Sequence, residues 1–509
     1  MPRQSVWQGA VWLSLGSLVS KGLGAVYRIF LPRVLGDYGV GLFQIAYPLY
    51  AVLLAVSVNG IPTALAKEVA ERQARRDLVG AQQVVLWALT GLAALGLVLA
   101  AAMALAAPWV ADTLFGEPAA AGPIRALAPA LALVALEAGL RGSFQGEASM
   151  RPTAVSQILE QVVRVAVMFP LALWLMPRGV PAAVTGASLG ASVGAVAGFA
   201  YLARERWRHW GPSGLPRRPV PWSGLKRLAA VAAPMSMAGL FFPLTMLADS
   251  MVVPHRLRHL GLGLTEATAN FGRLSGEAMP LINLTLVVGA ALAVSLVPAV
   301  AQAISSGRQA EAADRVANAV RLIWACGLPM SGGLFFLARP LTATLYGEAG
   351  AAAVLRILSL GAPVLALQQV FGASLQAAGR GWAPVRNLLW GTGVKYGLTW
   401  WLTGIAGLGI EGAAVGTVVA SAVVTYLNWQ AWCRAVPPAA RTSLWRHLGV
   451  PLGATAVMGM GLTLLHRLVG PLSAPLWTAM ALPAGALVYV AGLLASGEAR
   501  ELLNLVRQR

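Results

Sequence analysis

Long stretches without a single formal charge restrict this chain more than any other feature of it. Eight of them run over 39–66, 83–107, 179–203, 322–338, 357–379, 412–433, 448–465 and 468–496. A helix rises 1.5 Å per residue, so about 20 apolar residues carry it across a hydrocarbon core of roughly 30 Å, and these runs are of that order. Six further runs, 4–32, 124–148, 153–177, 228–253, 275–304 and 387–408, carry ionisable residues within otherwise apolar sequence. With 57% hydrophobic and 11% charged residues, the composition excludes a water-soluble fold. The expected fold class is an all-α integral membrane protein of about 14 transmembrane helices.

A formal net charge of +19 would point to nucleic acid in a soluble chain. Here the Lys and Arg residues sit in short links between apolar runs, a pattern of membrane topology and anionic lipid headgroups, and no nucleic-acid partner is expected. If the N-terminus is inside, the inside links hold most of the basic residues, including Lys67, Arg72, Arg75, Arg76, Arg204, Arg206, Arg208, Arg217 and Arg218. The outside links hold only Arg33, Arg178, Arg256, Arg258, Arg339 and Arg467. Positive residues stay on the cytoplasmic side, so both termini are expected in the cytoplasm and the chain in the cell membrane. The first run continues past Lys21 to Arg28 without a small-residue cleavage site and is read as a retained span.

The chain repeats itself. A shift of 231 positions lays Thr113, Leu114, Gly116, Glu117 and Arg125 on Thr344, Leu345, Gly347, Glu348 and Arg356, and Ser143 and Gln145 on Ser374 and Gln376. Give or take one, the same shift takes Pro152 to Pro384, Arg164 to Lys395 and Gly186 to Gly416. Six spans separate the copies, and an even number preserves direction, so two parallel six-helix lobes are expected, with two C-terminal helices outside the repeat. The expected organisation is an N-lobe over 1–203, a basic, proline-rich cytoplasmic linker over 204–227, a C-lobe over 228–433, two more spans over 434–496 and an amphipathic tail over 497–509 lying on the membrane surface.

Charges inside apolar runs are the candidate functional residues, because a charged side chain near the bilayer centre costs on the order of 2.5 to 3.5 kcal/mol and usually faces a cavity or a partner. Arg164 lies about 17 Å into its span and its repeat mate Lys395 about 12 Å into the corresponding one, at 1.5 Å per residue. Together they suggest a cationic cavity between the lobes for an anionic substrate, with Lys21 and Arg28 of the first span assisting. Glu160 precedes Arg164 by four residues and Glu137 precedes Arg141 by four, which places each pair on one helix face. Such pairing also lowers insertion cost without any role in transport. Asp249, followed by His255 and Arg256, is a candidate cap or outer gate, and Glu277 reads as interfacial.

Other motifs carry little chemistry. Gly186, Ala187, Ser188, Leu189 and Gly190 spell the G-x-S-x-G of a hydrolase elbow, but inside a span they read as small residues for close helix packing. His255 and His259 have zinc-like spacing without the following Glu and are taken as loop residues. Cys326 and Cys433 are too few for a disulfide framework or a cysteine metal site. No P-loop is present, so no nucleotide cofactor is expected, no enzyme activity, and no metal. The energy source is then an ion gradient (H+ or Na+), the membrane potential or the substrate gradient. Pro48 and Pro62, Pro234 and Pro243, and Pro280 and Pro298 are expected to kink three spans, as gating hinges or as structural bends.

Several stretches resemble a known group: SKGLGAVYRIFLPRVLGDYGVGLFQIAYPLY (20–50), NGIPTALAKEVAE (59–71), LRGSFQGEASMRPTAVSQILEQVVRV (140–165), LADSMVVPHRL (247–257) and GEAMPLINL (276–284). They are similar to the stage V sporulation protein B and YtgP group of polysaccharide-transport proteins, within the multidrug/oligosaccharidyl-lipid/polysaccharide exporter superfamily that includes lipid II flippases. The resemblance implies two six-helix lobes plus two helices, and flipping of an undecaprenyl-linked sugar from the inner to the outer leaflet. In endospore formers it also implies a role in spore cortex peptidoglycan. The group's first-helix basic residues fall on Lys21 and Arg28, and its fifth-helix acidic, amide and basic residues on Glu160, Gln161 and Arg164.

The expected function is therefore alternating-access flipping of an undecaprenyl-diphosphate-linked oligosaccharide such as lipid II. A lipid diphosphate cannot cross hydrocarbon unshielded, and Lys or Arg can donate charge-assisted hydrogen bonds to its oxygens. The expected partners are that substrate, membrane lipids and a coupling ion. The rivals are a drug or cation exporter, which would want acidic residues at the cavity centre, and a non-transporting scaffold for wall synthesis.

Overall fold

A computed structural model describes residues 6–210, 222–437, 445, 447–470 and 472–507. Within these, the side chains of residues 6, 7, 10, 21, 210, 222–238 and 503–507 lie outside the description. Pro212, Pro216, Pro219 and Pro221 of the expected linker also fall outside it. The described residues form helices joined by short turns, without strands. Every one of the fourteen expected spans overlaps a helix, and eleven helical stretches are long and apolar enough to cross a membrane.

The chain divides into two compact units. The first comprises Met1–His255 and Gly263–Gly272, the second Arg256–Leu262 and Arg273–Arg509. The first unit opens with α1 (Val6–Val58), which bends at Gly36 and covers most of the first two expected spans. After a break at Gly60 the chain continues as α2 (Ile61–Ala74). Pro62 sits in the first turn of α2, where its missing N–H leaves no bond unmade, so it starts a helix rather than kinking one. There follow α3 (Leu78–Trp109), α4 (Ala121–Gly146), α5 (Arg151–Leu175), α6 (Val180–Trp210), α7 (Trp222–His259) and α8 (Leu264–Gly272). Asp77 caps α3 by accepting from the Gly80 N–H at 2.8 Å. Leu65, Val69, Val84, Val85 and Trp87 form one of this unit's buried apolar clusters.

In the second unit a π-helical turn (Arg273–Ala278) leads into α9 (Met279–Ser305), followed by α10 (Gln309–Phe336), α11 (Ala338–Tyr346), α12 (Ala352–Ala377), α13 (Trp382–Thr403), α14 (Ile410–Cys433), α15 (Gly449–Val469), α16 (Ala474–Ala495) and α17 (Glu498–Arg507). Its main core gathers Leu296, Val316, Ile323, Val370, Phe371 and Trp432. A second cluster, with Met458, Leu462, Trp477 and Tyr489, joins α15 and α16 to Leu337.

Two residue expectations need correction. His255 and His259 lie in the last turns of α7 rather than in a loop. Glu277 is 1% exposed, buried within the π turn, not interfacial. Pro280 stands in the first turn of α9, directly after the π-helical turn and inside the continuous helical stretch Leu264–Ser305. The C-terminal tail is helical, and Arg321 of α10 donates to Glu498 at 2.6 Å and also to Glu501, which ties α17 to the bundle.

The repeat is visible inside each unit. In the T-L-x-G-E motif both glycines have positive φ, 58° at Gly116 and 90° at Gly347, a conformation that a side chain disfavours. The acidic residue that follows differs between the copies. Glu117 is buried and accepts from the Thr268 hydroxyl at 2.6 Å and from Tyr38 at 3.4 Å, whereas Glu348 is exposed. The helix-packing glycines also match, but one turn away from the alignment of the sequence. A Cβ on Gly186 would meet the Leu171 carbonyl at 2.8 Å, and one on Gly412 the Leu402 carbonyl at 2.7 Å. Gly190 packs in the same way on the Arg164 carbonyl and Gly416 near the Lys395 carbonyl. Gly186 therefore corresponds to Gly412 and Gly190 to Gly416, because Gly190 follows Arg164 by 26 residues whereas Gly416 follows Lys395 by only 21.

Candidate functional site

The glycines of α6 explain how a charged network is accommodated in an apolar bundle. Gly186, Gly190, Gly194 and Gly198 recur every four residues and let α6 lie against the backbone of α5. A Cβ on Gly194 would stand 2.6 Å from the Glu160 carbonyl, and one on Gly198 2.4 Å from Glu137 Oε1. Behind this stripe, α4 and α5 bring together Glu137, Arg141, Glu160 and Arg164. Arg164 Nη2 donates to Glu160 Oε1 at 2.7 Å. Arg141 Nη2 lies 2.7 Å from Glu137 Oε2 and 3.0 Å from Glu160 Oε2, and its Nε donates to the Ser156 hydroxyl at 3.0 Å.

The pairs expected on single helix faces are therefore one network across two helices, with Arg141 as its bridge. Glu137 is fully buried and Glu160 is 7% exposed. The aromatic lining comes from α1. Tyr47 and Tyr50 stand 5.9 Å apart, centroid to centroid, and both lie in the field of Arg164 and Glu160. These tyrosines escaped the sequence reading, although two phenols flanking Pro48 in an uncharged span were the available signal. Arg28 interacts electrostatically with Tyr27, Tyr47 and Arg164, so the first helix brings a third guanidinium to the network.

The remaining candidates are placed as follows. The side chain of Lys21 lies outside the described residues. Gln161 is half-buried next to Glu160, and Asp249 is half-buried on α7, outside the Arg141 network. Lys395 is half-buried on α13, with its Nζ 5.5 Å from the Tyr396 ring centroid. Arg164 and Lys395 each stand thirteen residues after the first residue of their helices, a depth of about 20 Å at 1.5 Å per residue. The positions equivalent to Glu137, Arg141 and Glu160 are Gln368, Gly372 and Gly391, so the ion network belongs to the first unit alone. Among the described residues no group of His, Cys, Asp and Glu is arranged to hold a metal.

Two helical units with repeated sequence, and charges buried within the spans of the first, make a polytopic membrane protein, and its family and fold matches place it among the transporters of the multidrug/oligosaccharidyl-lipid/polysaccharide exporter superfamily. Solved structures share that fold. An inward-facing multidrug-resistance transporter of the MATE family aligns over 86% of this chain and 99% of its own with a TM-score of 0.69 at 16% identity. An inward-closed lipid II flippase MurJ aligns over 94% and 99% with a TM-score of 0.61, also at 16% identity. Within this class the chain belongs to the polysaccharide biosynthesis protein family, whose model matches residues 6–304; the MatE model matches 276–401. Among curated relatives, stage V sporulation protein B of Bacillus subtilis (strain 168) is 29% identical over 84% of this chain and 83% of its own length. Lipid II flippase MurJ of the same organism is 24% identical over 67% and 66%.

Proposed function

We propose that the protein flips an undecaprenyl-diphosphate-linked oligosaccharide, lipid II or a related peptidoglycan or polysaccharide precursor, from the inner to the outer leaflet by alternating access. The carrying observation is the charge balance of the deep network. Among the described residues Arg141 and Arg164 pair with Glu137 and Glu160, and Arg28 adds a further positive charge beside Arg164, which leaves a positive excess for an anionic headgroup. Arg28 and Arg164 bind the diphosphate in this reading, with Lys395 and Lys21 contributing from other helices. Glu160, Arg141 and Glu137 hold Arg164 in place, Gln161 supports them, and Asp249 serves a gate. The undecaprenyl tail stays in lipid. Both termini face the cytoplasm, as does the basic linker.

The relatives support this reading, since a lipid II flippase and a sporulation protein are both among them. A drug or cation exporter of the same superfamily would need an acidic excess at the same depth, the opposite of the balance here. The test is flipping of defined lipid-linked sugars in proteoliposomes. Arg164→Gln should insert normally, because losing an intramembrane charge lowers insertion cost. It should slow flipping by about 10- to 100-fold, in line with roughly 1.5 to 3 kcal/mol for a hydrogen bond to a charged group. Arg164→Lys should recover only part, lacking the planar fork that engages two phosphate oxygens. Wild-type rates in an inserted Arg164→Gln would overturn the proposal, and no flipping by the wild type of any such lipid would favour a scaffold.

A further inference from the structure

We infer that Glu137 and Glu160 form a proton-binding pair, in which one proton is shared between two carboxyl groups and Glu137 carries it. The first observation is that the two carboxyl groups converge. Both approach the same nitrogen, Arg141 Nη2, at 2.7 and 3.0 Å. Ionised carboxylates offer only acceptor lone pairs and repel each other, so two that converge on one nitrogen favour a proton on one of them.

The second observation identifies the carrier. Glu160 receives aligned hydrogen bonds from both Arg164 and Arg141. Glu137 has Arg141 close by, but no well-aligned donor reaches either of its oxygens among the described residues. Its side chain is 0% exposed, and its Oε1 is turned to the bare backbone of Gly198. An ionised carboxylate without a hydrogen-bond donor is expensive in so dry a place, and a proton removes that cost. The charged and titratable groups around it are Arg141 on its own helix, Glu160 and Arg164 on α5 and Tyr50 on α1. On the other sides α6 presents Gly198, α3 presents Leu89 and Leu92, and α2 presents Pro62 within the next turns of α4.

Charge balance gives the pair a consequence, which rests on the flippase reading above. A proton on Glu137 raises the net charge of the network by one, with Arg28, Arg141 and Arg164 then facing a single carboxylate. An anionic headgroup and the proton thus favour each other's binding, and by linkage each tightens the other by the same factor.

The pair is tested without any ligand, by infrared difference spectroscopy of the full-length protein in lipid bilayers titrated with pH. The wild type should show a deuterium-sensitive C=O band of a protonated carboxyl group that disappears in Glu137→Gln and in Glu160→Gln. It should persist in Glu348→Gln, which alters an exposed carboxylate. Absence of the band from the wild type, or its survival in Glu137→Gln, would overturn the proposal. Because no substrate is present, this outcome is separate from the flipping assay: loss of the proton pair leaves the flippase reading intact, and a failed flipping assay leaves the pair intact.

Discussion

Arg206 counts as a basic link residue in the sequence, yet it lies inside α6 and is 4% exposed. It donates to Glu147 at 2.5 Å and to the Ser143 hydroxyl at 2.6 Å, and its guanidinium covers the Phe144 ring at 3.9 Å. Removing one partner of a buried pair leaves the other unpaired, at about 3 to 5 kcal/mol. Arg206→Ala should therefore lower the thermal unfolding temperature in detergent, and Arg206→Lys should restore only part of the loss, because an ammonium cannot keep both contacts and the ring stacking. An unchanged unfolding temperature in Arg206→Ala would show that solvent screens the pair. Local spacing makes some contacts at this scale legible and hides others. The four-residue step from Glu160 to Arg164 is readable because helix geometry alone brings the two together. The bond from Arg141 to Glu160 spans 19 residues and two helices, and nothing in the local pattern specifies it.

For the helices as elements, close packing between α5 and α6 rests on the absence of side chains along one stripe. Gly194→Val would drive a side chain into the Glu160 backbone, whose carbonyl would stand 2.6 Å from the first added carbon. Overpacking of this kind typically costs about 1 to 3 kcal/mol. Purified Gly194→Val should melt earlier than wild type, while Gly393→Ala, where an added carbon meets nothing within 4 Å, should melt at or slightly above it. Equal melting of all three proteins would mean that the stripe is not a packing surface. The small-residue spacing was readable in the sequence as a packing signal. Its register in the second copy was not, because the run of chain between the paired contacts is shorter there while the helix contacts stayed in phase.

For the molecule as a whole, the asymmetry of Lys and Arg between links predicts which face each link occupies. A cysteine introduced at Ser223, in the basic segment between the first six spans and the rest, should resist membrane-impermeant maleimide in intact cells and react after permeabilisation. Labelling from outside would reverse the orientation proposed here. The succession of apolar runs already determined a polytopic helical chain, because the transfer of each run into hydrocarbon is a local sum over its own residues. The intramembrane charges marked the candidate site for the same reason, since each is costly wherever it inserts. The tertiary structure alone decided that α4 and α5 share one network, that Arg141 bridges it and that Arg28 joins it. Those outcomes depend on which helix faces meet and in what register, and that is set by packing between residues far apart in sequence, to which hydropathy and spacing along one helix are blind.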